Sequence, residues 1–85
     1  MDVVEYPEGW AEVEGALQRE LRFKDFAAAI DFVDRLAEIA EEANHHPDIA
    51  IHWNRVTVRW WTHVQGAITA RDVELARRTD RLATG

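Results

Sequence analysis

The run Ile49-Ala50-Ile51-His52-Trp53-Asn54-Arg55-Val56-Thr57-Val58-Arg59-Trp60 decides the fold. Ile49, Ile51 and Trp53 alternate with Ala50 and His52, and Val56, Val58 and Trp60 alternate with Thr57 and Arg59. A period of two marks strands with one buried face, so the stretch reads as two strands joined by a tight turn. With Asn54-Arg55 as a two-residue loop, Trp53 faces Val56, Ile51 faces Val58 and Ile49 faces Trp60, and the apolar sides match. Trp53 and Trp60 are expected in the core, and His52 on the outer face. Extending the ladder to its open end sets His46 opposite His63, about 5 Å apart at the backbone if pairing persists past Pro47.

Upstream, Asp25 has the character of a helix N-cap, and apolar residues recur at Phe26, Ile30, Val33, Ala37 and Ala40, widened by Phe32, Leu36 and Ile39. This long amphipathic helix should stop near Asn44, because Pro47 cannot continue it and disfavours helical geometry at His46. Before the helix, Leu17, Leu21 and Phe23 alternate with Gln18, Glu20 and Arg22, which is again a strand, with Arg19 the exception on its apolar side. A weaker strand around Trp10 to Val13 precedes it through Glu14-Gly15. Downstream, Thr69 as N-cap, Asp72 three residues later and an Ile68/Val73 staple open a helix that runs through Leu75 and Ala76 towards Leu82. The order β-β-α-β-β-α implies an α+β fold, a four-stranded antiparallel sheet with helices on one face.

Eighty-five residues, 47% hydrophobic and 31% charged, suit one globular domain spanning 1–85. A net charge of −6 repels phosphate backbones and anionic lipid, so neither nucleic acid nor a membrane surface is an expected partner. There is no Cys, hence no disulfide, thiolate metal site or cysteine nucleophile, and so small a domain without cross-links is expected to gain stability as a homo-oligomer. The longest apolar run, Phe26-Ala27-Ala28-Ala29-Ile30, is far shorter than the roughly 18 residues of a membrane span. The acidic start Met1-Asp2 is unlike a signal peptide, and a cytoplasmic location is expected.

Three histidines, His45, His46 and His63, gather at one end of the expected hairpin, and imidazole gives and takes protons near neutrality without a cofactor. The competing reading is that His46 and His63 only pair at a sheet edge. Metal binding is disfavoured, since no HExxH pair occurs and the neighbours His45 and His46 diverge on extended backbone. Serine is absent from the chain, which excludes a Ser-His-Asp triad.

Glu41, three residues, His45-His46-Pro47, five residues, Trp53, nine residues, His63, eight residues and Asp72 together resemble the signature of the pterin-4a-carbinolamine dehydratases. Trp10, Leu17, Arg19, Phe23, Asp25-Phe26 and Ala29 resemble the family's opening strands and helix start, and the likeness extends from about Trp10 to Asp80. The resemblance implies a cofactor-free dehydratase that takes water from 4a-hydroxytetrahydropterin to give quinonoid dihydropterin, recycling tetrahydrobiopterin behind the aromatic amino acid hydroxylases. It implies His45, His46 and His63 as the acid/base set, and Glu41, Asn44, Thr62, Arg71 and Asp72 as substrate-binding and positioning residues. Several members carry Asp where this chain has Asn44. Each also has a structural reading: Asp72 as helix cap, Thr62 as strand threonine, Glu41 as solvated helix residue, Arg71 as a balance to nearby carboxylates. Trp61, on the face opposite Trp60 and beside Arg59 and Asp48, could stack on a pterin, though an indole there more often covers a subunit contact. The family's dimers or tetramers are implied too, as is an N-terminal helix that is shortened or absent here. Relatives that act as a transcription-factor partner or as carbon-fixation assembly factors supply the alternative, a non-catalytic binding module on the same fold; intact histidines favour the enzyme.

Overall fold

The computed structural model describes residues 5–84. Its elements are β1 (Ala11–Val13), β2 (Ala16–Arg22), α1 (Phe26–Ala43), β3 (Asp48–His52), β4 (Arg55–Trp60) and α2 (Ala70–Thr84). The sheet is antiparallel throughout, in the order β1-β2-β4-β3. Residues 5–10 lead into β1 without helix, and the N-terminal element expected to be shortened or absent otherwise falls on residues outside those described.

The two hairpins turn by different means. Between β1 and β2, Glu14 and Gly15 both take positive φ, 48° and 81°, the pattern of a type I′ turn, whose twist suits the flanking strands. Between β3 and β4 the register differs from the expected one: His52 pairs with Arg55, Ile51 with Val56 and Ile49 with Val58, so the loop is Trp53-Asn54 and not Asn54-Arg55. The cause lies outside the hairpin. The Asn54 side-chain amide donates to the Phe23 carbonyl and the Asn54 carbonyl accepts from the Phe23 N–H, both at 2.8 Å, which ties Asn54 to the joint between β2 and α1. A displacement of two residues leaves every side chain on its own face, so Val56, Val58 and Trp60 are buried as expected.

Trp53 is a further correction. Expected in the core, it sits at the hairpin tip beyond the cover of the helices, 69% exposed, with a left-handed φ of 54° that a bulky residue adopts only under strain. Asn tolerates that region, so Trp53→Asn is expected to stabilise the fold by about 0.5–1 kcal/mol, read as a melting midpoint roughly 3–5 °C higher. An unchanged or lower midpoint would show that the turn carries no such strain.

Both helices lie on the face bearing Leu17, Leu21, Val56, Val58 and Trp60 and close the core with Ala29, Phe32, Leu36, Ala40, Val73, Leu75 and Ala76. Asp25 caps α1 by accepting from the Ala28 N–H at 2.8 Å. The fully buried Trp60 spans from sheet to α2, where its indole N–H donates to Thr79 Oγ1 at 3.0 Å, so a large apolar surface is buried without orphaning its one polar atom. Arg19, the polar intruder on the β2 core face, is matched by α2: its guanidinium meets Asp80 at 2.8 Å, and the same carboxylate accepts from the Trp10 indole N–H. Gly9 permits this corner, since a Cβ there would come within 3.0 Å of the Arg19 guanidinium carbon. Among the described residues no helix is long and apolar enough to cross a membrane.

Candidate active site

The site is assembled where α1 ends, β4 ends and α2 begins. Helix α1 stops in a Schellman arrangement: the Asn44 N–H bonds to the Glu41 carbonyl at 3.2 Å and the His45 N–H to the Ala40 carbonyl at 3.1 Å. Asn44 provides the left-handed residue this requires, at φ 51° and ψ 45°. Asn is one of the few residues besides Gly that tolerate that conformation. The sharp reversal is what carries His45 and His46 back across the end of the sheet.

His45 is held from several sides. Its side chain is only 11% exposed, its ring lies 5.8 Å from the Trp60 indole at an interplanar angle of 18°, and its Nε2 stands 2.6 Å from Asp72 Oδ1. Asp72 is completely buried. Its second oxygen accepts from Thr62 Oγ1 and the Thr69 N–H, both at 2.8 Å, and from Thr69 Oγ1 at 3.3 Å. The bond from the Thr69 N–H is one half of the expected capping box, so cap and site are served by one carboxylate. A carboxylate so surrounded by donors acts as acceptor, which assigns the His45 proton to Nε2 and leaves Nδ1 without a protein partner among the described residues.

The other two imidazoles are placed differently. His46 Nε2 lies 2.5 Å from Glu41 Oε2, with both side chains more than half exposed and water screening the pair. His63 follows Thr62, which bridges to Ala67 and whose carbonyl accepts from the N–H groups of Gln65, Gly66 and Ala67. The loop so closed presents His63 to solvent with its ring centroid 4.1 Å from that of Trp61. The His63 carbonyl accepts from the Gly66 N–H at 3.2 Å, and its imidazole has no hydrogen-bond partner among the described residues.

Asn44, His45, His46, Trp61, Thr62, His63 and Val64 line one cavity of about 210 Å³. The three histidines therefore converge, but not by the expected route. The strand pairing that was to set His46 opposite His63 ends at Asp48 and Arg59, and the observed register would in any case point His46 towards Trp61. The reversal at Asn44 and the closed loop after Thr62 bring them together instead. Of the other sequence candidates, Asn44 and Thr62 reach the cavity wall, and Glu41 and Asp72 stand behind His46 and His45. Arg71 is elsewhere, its guanidinium donating to the Ala43 carbonyl at the end of α1. Two lining residues are not among the expected site residues, and Trp61, weighed as a stacking partner, is expected rather to cover a subunit contact. Trp61 carried a signal, its place next to Asp48, and its indole N–H does donate to Asp48 Oδ2 at 3.1 Å. Val64, 93% exposed, carried none. Among the described residues no group of three His, Asp or Glu side chains is placed to hold a metal ion.

What this arrangement offers chemically is three imidazoles around one small cavity, groups able to give and take protons. One imidazole is locked in a single tautomer by a buried carboxylate, another is free, and a third is paired to an exposed carboxylate.

Residues 2–82 match the family model described as pterin 4 alpha carbinolamine dehydratase. The chain is 49% identical over 78 residues to a protein of Picosynechococcus sp. provisionally named a pterin-4-alpha-carbinolamine dehydratase, with 92% of this chain and 84% of the relative covered. A protein of Thermomicrobium roseum with the same provisional name is 51% identical over 76 residues, covering 89% and 82%. Among solved structures, one described as a transcriptional coactivator/pterin dehydratase from Brucella melitensis superposes with a TM-score of 0.84 at 36% identity, covering 89% of this chain and 83% of that one. A pterin dehydratase-like protein identified as a RuBisCO assembly factor in the alpha-carboxysome shares the fold, with a TM-score of 0.72 at 24% identity, covering 87% and 86%.

Proposed function

The chain belongs to the pterin 4 alpha carbinolamine dehydratase family, and from that premise we propose that it dehydrates 4a-hydroxytetrahydropterin to quinonoid dihydropterin in the recycling of tetrahydrobiopterin. The observation that carries this reading is the convergence of His45, His46 and His63 on one small cavity. In the elimination the C4a–O bond breaks, the leaving hydroxyl takes a proton from a general acid and departs as water. The N5 proton passes to a general base as the C4a=N5 double bond forms. Each transfer needs an imidazole within hydrogen-bond reach of its atom. His45 and His63 stand in different environments and so are suited to different halves of the reaction. Asp72 and Thr62 act as positioning residues for His45, Glu41 for His46, and Arg71 secures the end of α1 from which both histidines emerge. No cofactor takes part.

The wild-type protein is expected to accelerate decay of 4a-hydroxytetrahydropterin, generated in situ by an aromatic amino acid hydroxylase, well above the spontaneous rate. The absence of acceleration by folded protein would overturn the reading. It would also favour the second one, a binding module for a protein partner, which the coactivator description of the Brucella melitensis relative supports.

A further inference from the structure

Trp61 stands immediately after β4, and strand alternation turns its side chain away from the core that receives Trp60. An indole so placed would ordinarily project into water, but this one is half-buried and fixed. Its N–H is satisfied by Asp48 Oδ2 at 3.1 Å, and Asp48 is itself approached by Arg59 at 4.0 Å. With the polar edge occupied in this way, what the indole offers to the cavity is its ring. One side of that ring is met by His63, whose centroid is 4.1 Å away at a tilt of 39°. Apart from the imidazoles it is the only aromatic lining the cavity among the described residues, and the cavity, at about 210 Å³, is of a size for a small ring system.

We propose that Trp61 is a substrate-binding residue, the aromatic wall on which the flat pyrimidine half of the pterin lies while His63 meets its reacting edge. The inference rests on the dehydratase reading and deepens it. Stacking against a planar heterocycle is a ground-state contact kept through the reaction, because the pyrimidine half is not where bonds change. It therefore governs binding more than turnover.

Trp61→Ala is expected to raise KM about 10-fold or more while kcat stays within about 3-fold, and Trp61→Phe, which keeps a stacking face, to recover most of the loss. An unchanged KM, or a loss confined to kcat, would overturn the proposal, the latter because Trp61 would then act only through His63. A second measurement needs no substitution at the site. In the wild-type protein the four tryptophan indole N–H resonances report separately, and titration with 7,8-dihydropterin should shift the Trp61 signal most. Shifts at the histidine rings with the Trp61 signal unmoved would overturn the inference and leave the dehydratase reading standing. No pterin-dependent shift anywhere would overturn both.

Discussion

His63→Ala will slow dehydration of 4a-hydroxytetrahydropterin by about 10²- to 10⁴-fold, the usual contribution of a positioned general acid or base, while leaving the melting transition nearly where it is. The separation of the two effects follows from the surroundings of this residue. The His63 side chain is exposed and makes no hydrogen bond among the described residues, and it sits on a loop whose closure uses backbone groups, the His63 carbonyl among them, and not the imidazole. Truncation removes a ring resting against Trp61 and little else. The measurement is turnover above the spontaneous rate, set beside a thermal melt of the same preparation. A variant that melts normally and keeps full turnover would remove His63 from the acid/base set. A large loss of cooperative melting would mean that the imidazole itself holds the loop in place.

Asp72→Ala has the opposite profile and the largest expected effect on stability. Asp72 has no exposed surface, yet it accepts from His45, from Thr62 and from both the N–H and the hydroxyl of Thr69. Removing the carboxylate strands the buried Thr62 hydroxyl together with the partly buried donors of His45 and Thr69, and a loss of about 3 kcal/mol is expected. A chain of this length has a total stability on the order of 4–13 kcal/mol, so the melting midpoint should fall by roughly 10–20 °C. Activity should fall as well, measured below the new midpoint, because His45 would no longer be held to one tautomer. A stability change under about 1 kcal/mol would mean that His45 and the two threonines find other partners, and that Asp72 does not organise the site.

The contrast between these two residues also explains how much of the site could be read from the chain. His63 and Asp72 stood out in the same signature, at fixed spacings, with nothing in the sequence to say that one meets solvent and the other is sealed. Asp72 did carry a local signal, its position three residues after Thr69, and the N–H bond of that motif is present. That His45 lies on the far side of the same carboxylate depends on contact between segments 27 residues apart. Arg71 shows the limit from the other direction. Adjacent to Asp72 in the chain, it points along the outside of α2 to the end of α1.

What the sequence determined by itself was everything carried by short-range periodicity and by chain chemistry. The alternation in β2, β3 and β4, the apolar stripe of α1 with Asp25 at its start, the Glu14-Gly15 turn and the order of elements all follow from residues within a few positions of one another. Only the tertiary structure decided the β3–β4 register, the exposure of Trp53 and the presence of Trp61 in the cavity. The register answers to bonds between Asn54 and Phe23, 31 residues apart, and a pattern of period two is equally satisfied by any displacement of two. Trp53 continues the apolar alternation past the point where helices cover the sheet, and alternation carries no information about where that cover ends. The histidines meet because a left-handed Asn44 and a closed loop at Thr62 aim two chain reversals at one place, a matter of direction in space that spacing along the chain does not encode.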